Sequence, residues 1–141
     1  MEEKYKALLL DHQLCFPLYA CARETIKLYK PYLDELDLTY TQYITMMVLW
    51  ERGSVSVKEL GEALYLDSGT LTPLLKKMEA KGLLSRRRSE EDERSLIVSL
   101  TKAGEALKDR ALSVPQQMAG CVRLEPEETQ ELYRLLYKLL K

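Results

Sequence analysis

The sequence predicts a mainly α-helical chain carrying one small β-wing, a winged helix-turn-helix. Three observations lead there. Apolar residues recur at the 3.6-residue helical period along most of the chain. Between residues 83 and 100 that period gives way to two short strand-like runs around a polar, charged turn. Ser, Thr and Asp residues stand where helix caps are needed, and Gly residues stand where helices must stop.

The first helical pattern runs from Asp11 to about Tyr32, with apolar positions at Leu14, Leu18, Cys21, Ala22, Thr25 and Leu28. Asp11 is a candidate N-cap, Pro17 predicts a kink or a helix start, and Pro31 predicts the end. Thr39 or Thr41 caps a second helix reaching Arg52, where Gly53 stops it. Ser56 caps a third over residues 57–65, with Glu59 placed for a capping box. Asp67 or Ser68 caps a fourth, to about Lys81, with Gly82 as its C′ residue. Residues 83–88 and 95–100 read as strands joined by the turn Ser89-Glu-Glu-Asp-Glu, directly after the helix pair. Thr101 caps a further helix that ends before Pro115. A last helix opens at Pro126 among Glu125, Glu127 and Glu128, which suit the positive end of its dipole. Leu132, Leu135, Leu136, Leu139 and Leu140 form its apolar face, to be buried on the N-terminal helix of its own or a second subunit.

The chain has 141 residues, enough for one domain, or for one domain with dimerisation arms. With 46% hydrophobic and 30% charged residues it can bury a core. No apolar run approaches the roughly 20 residues that span a bilayer. The N-terminus lacks the pattern of a signal peptide, so a cytoplasmic protein with no membrane partner is expected. Cys15, Cys21 and Cys121 have no metal-ligand spacing, and with one His nothing points to a metal or a cofactor.

Net charge is −1, yet residues 68–88 carry six basic residues (Lys76, Lys77, Lys81, Arg86, Arg87, Arg88) against Glu79. That segment is +5 and the remainder −6. A local basic surface is what contact with phosphate requires, because screening confines the interaction to about 10 Å. Leu60, Ala63 and Leu64, then Leu71, Leu74, Leu75 and Met78, form the inward face of the helix pair. Its outward face presents Ser68, Thr70, Thr72, Pro73, Lys76 and Lys77. Small hydroxyls early in the second helix can reach base edges of double-stranded DNA, and the lysines behind them can reach its backbone. Gly69 and Ser68 offer free backbone N–H groups to a phosphate. Arg86 and Arg88 lead into the wing, and Arg94 beyond it is a candidate for the minor groove. Glu90, Glu91 and Glu93 would repel phosphate unless turned to solvent, while Asp92 is expected to hold Arg94.

Leu66-Asp-Ser-Gly-Thr-Leu-Thr-Pro-Leu-Leu, Gly82-Leu-Leu-Ser-Arg, Asp92-Glu-Arg-Ser and Leu100-Thr-Lys-Ala-Gly resemble the MarR family of winged-helix repressors. The resemblance covers essentially the whole chain. Within it, Gln13-Leu-Cys-Phe-Pro-Leu-Tyr-Ala looks like the organic hydroperoxide-sensing branch, OhrR, and Tyr29 and Tyr40 fall where that branch has its tyrosines. The resemblance implies a homodimer on a DNA operator of inverted-repeat symmetry, with residues 1–36 and 101–141 dimerising and residues 37–100 binding DNA. It also implies that the Cys15 thiolate accepts hydrogen bonds from the partner's counterparts of Tyr29 and Tyr40. Tyr19, one turn from Cys15, can join them. Oxidation of Cys15 by an organic hydroperoxide would then release the operator.

By the residues alone, a Cys in an apolar helical stretch is usually a small buried hydrophobe, and the motif with its two tyrosines reverses that for Cys15. Cys21 reads as core. Cys121 is either a resolving cysteine across subunits or uninvolved, with a small thiol forming the adduct on Cys15 instead. Leu14, Phe16, Pro17 and Leu18 suit an alkyl or fatty-acid hydroperoxide. Two other readings are a MarR-type repressor released by a non-covalent aromatic ligand, and a thiol peroxidase. The second leaves the basic helix unexplained and lacks an Arg and Thr poised beside Cys15.

Overall fold

A computed structural model describes residues 2–141. Seven α-helices and one three-stranded antiparallel sheet follow two short 3-10 turns at Glu3–Leu8 and Leu10–His12. The helices are α1 (Cys15–Asp34), α2 (Tyr40–Arg52), α3 (Val57–Leu64), α4 (Ser68–Ala80), α5 (Lys102–Ala111), α6 (Ser113–Ala119) and α7 (Pro126–Leu140). The strands are β1 (Ser54–Ser56), β2 (Leu84–Arg88) and β3 (Leu96–Leu100) in the order β1-β3-β2.

The central helices begin where their side chains can satisfy the first free N–H groups. Thr39 accepts from the Gln42 N–H at 3.3 Å while the Gln42 carboxamide accepts from the Thr39 N–H at 3.1 Å, a complete capping box. Ser56 caps α3 by accepting from the Glu59 N–H at 3.0 Å, but the Glu59 carboxylate accepts from the Ser56 hydroxyl and not from its N–H, so only half of the expected box forms. Asp67, not Ser68, caps α4. Gly53 (φ +77°) and Gly82 (φ +79°) end α2 and α4 in conformations that suit Gly. The turn from α3 to α4 folds back so closely on α3 that a Cβ on Gly61 would lie 2.7 Å from the Leu66 carbonyl oxygen.

Met46, Leu49, Leu60, Leu71, Leu75, Met78, Leu84 and Val98 are each at most 1% exposed. They come from α2, α3, α4, β2 and β3, so one core fixes the helix pair against the wing. Each such side chain contributes roughly 1.5–3 kcal/mol by leaving water.

Pro17 marks a helix start, one of its two expected roles: α1 begins at Cys15 and Pro17 occupies its first turn, where no N–H is needed. Elsewhere the N-terminal segment departs from expectation, and Asp11 lies in a 3-10 turn instead of capping α1. Pro31 does not end α1, which continues to Asp34 because Leu33 is drawn into the core at 2% exposure. Cys21 is exposed on α1, not buried in this subunit's core. Farther on, Pro115 lies in the first turn of α6, a helix the periodicity did not suggest. β1, three residues long, pairs Val55 with Val98 and completes the sheet. α7 buries none of its residues, and no helix among the described residues is long and apolar enough to cross a membrane.

Candidate nucleic-acid interface and thiol site

α4 presents one open face to solvent and packs the other on the core. Ser68, Gly69, Thr70, Thr72, Pro73, Lys76 and Lys77 are all exposed, while Leu71, Leu75 and Met78 anchor the opposite face. Its N-terminus is set by Asp67, whose carboxylate accepts from the Thr70 N–H at 2.7 Å. Hydrogen bonds from Thr70 hold that carboxyl below the usual range. The Thr72 hydroxyl donates to the Ser68 carbonyl at 2.8 Å, which leaves its oxygen facing outward as an acceptor. Lys76 and Lys77 have no ion pair among the described residues.

Two of the six basic residues counted in the sequence are occupied structurally. Arg86 Nη2 lies 3.1 Å from Glu79 Oε1, and its backbone N–H donates to Glu79 Oε2 at 3.0 Å. The pair braces α4 against β2, so the Arg86 guanidinium, expected on phosphate, is turned to Glu79 instead. Lys81 donates to the Asp37 carbonyl and, at 3.0 Å, to Gln42 Oε1, tying the end of α4 to the first turn of α2. Arg87, Arg88 and Arg94 remain exposed. Arg88 donates to the Glu93 carbonyl at 2.9 Å, which keeps it along the wing. Asp92 does not hold the Arg94 guanidinium. It accepts from the Arg94 backbone N–H at 3.0 Å and the Ser95 hydroxyl at 3.3 Å, and so shapes the wing's turn.

Cys15 is the first residue of α1 and is exposed. The helix has no side-chain cap there, so its positive end faces whatever anion stands beside it. Tyr19 follows one turn later, its hydroxyl 3.4 Å from Arg23 Nη1 and its ring under the same guanidinium. Tyr29 lies fourteen residues along α1 from Cys15, about 21 Å at the helical rise. It stands against Tyr40, the first residue of α2, with ring centroids 4.9 Å apart. A third ring, Tyr43, which the sequence reading did not single out, packs on both at 5.9 and 6.4 Å. Burial raises the pKa of all three phenols, and their mutual repulsion adds to it for Tyr29 and Tyr43. They therefore stay protonated and able to donate.

The two other thiols are elsewhere. Cys121 follows α6, half-buried, its sulfur donating to the Gln117 carbonyl at 3.5 Å and lying 4.0 Å from the Tyr32 hydroxyl. Cys21 lines an apolar groove of about 470 Å³ with Leu18, Tyr40, Leu132 and Leu136, between α1 and α7.

With this geometry in place, comparison with known proteins gives the kinship. Residues 27–111 match the family model of the SarA/Rot transcriptional regulators. The organic hydroperoxide resistance transcriptional regulator of Bacillus subtilis is 50% identical over 141 residues, 100% of this chain and 96% of that one. The chain belongs to the organic hydroperoxide-resistance branch of the MarR family. This MarR-family protein is a DNA-binding transcriptional regulator and not an enzyme. Among solved structures it is similar to reduced AbfR bound to DNA, with a TM-score of 0.78 and 33% identity, covering 97% of this chain and 96% of that one. It is also similar to disulfide-formed AbfR, with a TM-score of 0.67 and 33% identity, covering 98% and 97%. AbfR is a protein of Staphylococcus epidermidis.

Proposed function

We propose that this regulator is a homodimeric repressor that leaves its operator when an organic hydroperoxide oxidises Cys15. The carrying observation is that the exposed thiol and the Tyr29–Tyr40 pair stand at opposite ends of α1, too far apart to meet within one subunit. Fourteen residues at about 100° each return to within roughly 40° of the same face. Two α1 helices related by a two-fold axis and running antiparallel would therefore set each thiol beside the other's phenols. Residues 1–36 and 101–141 would form that interface, leaving residues 37–100 to bind DNA. The exposed leucines of α7 supply apolar surface for it.

In the reduced dimer, α4 enters the major groove with Ser68, Thr70 and Thr72 leading and Pro73 against the base edges. Gly69, Lys76, Lys77 and Arg88 meet the backbone, and Arg94 on the wing enters the minor groove. Two-fold symmetry predicts an inverted repeat with half-sites about 34–36 Å apart.

On oxidation, the Cys15 thiolate donates an electron pair to the terminal peroxide oxygen. The S–O bond forms, the O–O bond breaks, and the organic fragment leaves as an alcohol after taking a proton from solvent. Sulfur is oxidised by two electrons and the peroxide is reduced. The sulfenic acid then condenses with a small cellular thiol, forming a mixed disulfide and releasing water. A small thiol is preferred over Cys121 because Cys121 is half-buried and bonded to Gln117. Leu14 and Phe16, both exposed beside Cys15, favour an alkyl peroxide over hydrogen peroxide.

Operator binding of wild type and Cys15→Ser is measured before and after cumene hydroperoxide, with a small thiol present. Wild type is expected to lose DNA and gain one thiol mass per subunit, while Cys15→Ser keeps DNA. Release of Cys15→Ser by the peroxide would overturn the thiol mechanism. A covalent dimer in place of the adduct would move the resolving role to Cys121.

A further inference from the structure

Tyr43 has no part in the chemistry set out above, yet it is the most deeply placed member of the tyrosine cluster. It is 3% exposed, whereas Tyr29 and Tyr40 are half-buried. Its ring lies at 46° to Tyr29 and 50° to Tyr40, in the tilted contacts that aromatic pairs prefer. Tyr29 and Tyr40 sit on different helices, α1 and α2, so their mutual geometry is not set by one backbone. Tyr43 is one turn beyond Tyr40 on α2 and reaches Tyr29 as well. A half-buried ring with an open side can change rotamer, and a rigid ring behind it removes that freedom.

We propose that Tyr43 is a positioning residue: its buried ring holds the Tyr29 and Tyr40 rings so that their hydroxyls converge on one acceptor. This rests on the reading that the acceptor is the partner subunit's Cys15 sulfur. A phenol donor stabilises a thiolate only when aimed at it, since hydrogen bonding weakens steeply with misalignment. Tyr43 acts through the packing of its ring and not through its hydroxyl.

The test uses the full-length reduced protein and the pH profile of Cys15 alkylation by iodoacetamide. Cys21→Ser and Cys121→Ser are present throughout so that a single thiol is read. Tyr43→Leu removes the ring, and Tyr43→Phe keeps it. The profile of Tyr43→Leu is expected to move upward by about one unit, a tenfold loss of thiolate at a pH below the midpoint. Reaction with cumene hydroperoxide should slow to match, while operator binding by the reduced protein stays unchanged. Tyr43→Phe should behave as the parent. A parental profile for Tyr43→Leu overturns the proposal, and so does an equal shift for Tyr43→Phe, which would make the hydroxyl the active group. Should Tyr43→Leu lose helicity or operator binding, Tyr43→Met, closer in volume, carries the same expectation. Tyr29→Phe and Tyr40→Phe separate the two levels. If neither moves the profile, the cross-subunit thiolate reading fails. If both move it and Tyr43→Leu does not, only the positioning role fails.

Discussion

Asp67 joins the fold of the helix pair to the presentation of the residues proposed to read DNA. Its carboxylate accepts the Thr70 N–H, and this bond aligns Ser68, Gly69 and Thr70 at the exposed end of α4. Because Thr70 lowers the carboxyl's pKa in the folded state, the cap's contribution has a definite pH dependence. It is fully present above the ordinary carboxylate range and is lost as pH falls through the lower folded-state value. Asp67→Ala should lower the thermal midpoint at neutral pH, and the gap from wild type should close in strong acid. Asp67→Asn should lose the pH dependence while keeping part of the cap. Thermal melts across the acid range read both. The site residues differ in how legible they were. Ser68, Thr70, Thr72, Lys76 and Lys77 were readable because helical periodicity alone assigns the outward face. Arg86 was not, because its pairing with Glu79 spans a turn between helix and strand that charge counting does not see.

Within the elements, the angle between α3 and α4 sets how α4 would be presented to a groove in the proposed DNA complex. That angle depends on the close approach at Gly61, where a Cβ would press on the Leu66 carbonyl oxygen at 2.7 Å and on Leu71 Cδ1 at 3.2 Å. Gly61→Ala must displace the turn at Leu66 that leads into α4, and about 1–3 kcal/mol of stability should be lost to strain in a packed site. Denaturant unfolding gives that figure. Operator affinity of the folded fraction should fall as well, and unchanged affinity would show that the helix pair tolerates the shift. Lys81 works at the same level from the other end of α4. Its bonds to the Asp37 carbonyl and Gln42 place the end of α4 against the turn that carries Tyr40. A lysine in a basic segment reads as a phosphate contact. Only the fold shows that this one is turned to Asp37 and Gln42.

For the molecule as a whole, the unusual feature is a long apolar surface with nothing of its own subunit upon it. α7 buries no residue, and Leu132, Leu135, Leu136, Leu139 and Leu140 are all exposed. α1 contributes only Leu33 to the core. Surfaces of this extent mark association, and in the proposed dimer a second copy of the chain would satisfy both helices at once. Leu136→Glu would place a charge in the groove shared with Leu18 and Tyr40. It should convert the dimer to monomer in sedimentation, with the helical content of residues 37–100 retained. Operator affinity should drop steeply, because a monomer engages a single half-site. A dimer that survives this substitution would place the interface elsewhere.

The elements of this protein were determined locally. Periodicity, caps and glycine stops place α2, α3, α4, α5 and the two wing strands within a residue or two, since each signal acts over a single turn. The local basic surface is likewise a property of sequence order. What tertiary structure decided were the relations whose partners lie far apart along the chain. Pro31 fails to end α1 because burial of Leu33 outweighs one lost hydrogen bond. β1 is a strand only because β3 lies beside it. Tyr43 joins Tyr29 and Tyr40 only because two helices cross there. In each case the deciding energy is contact between distant segments, and pattern in a short window carries no record of it.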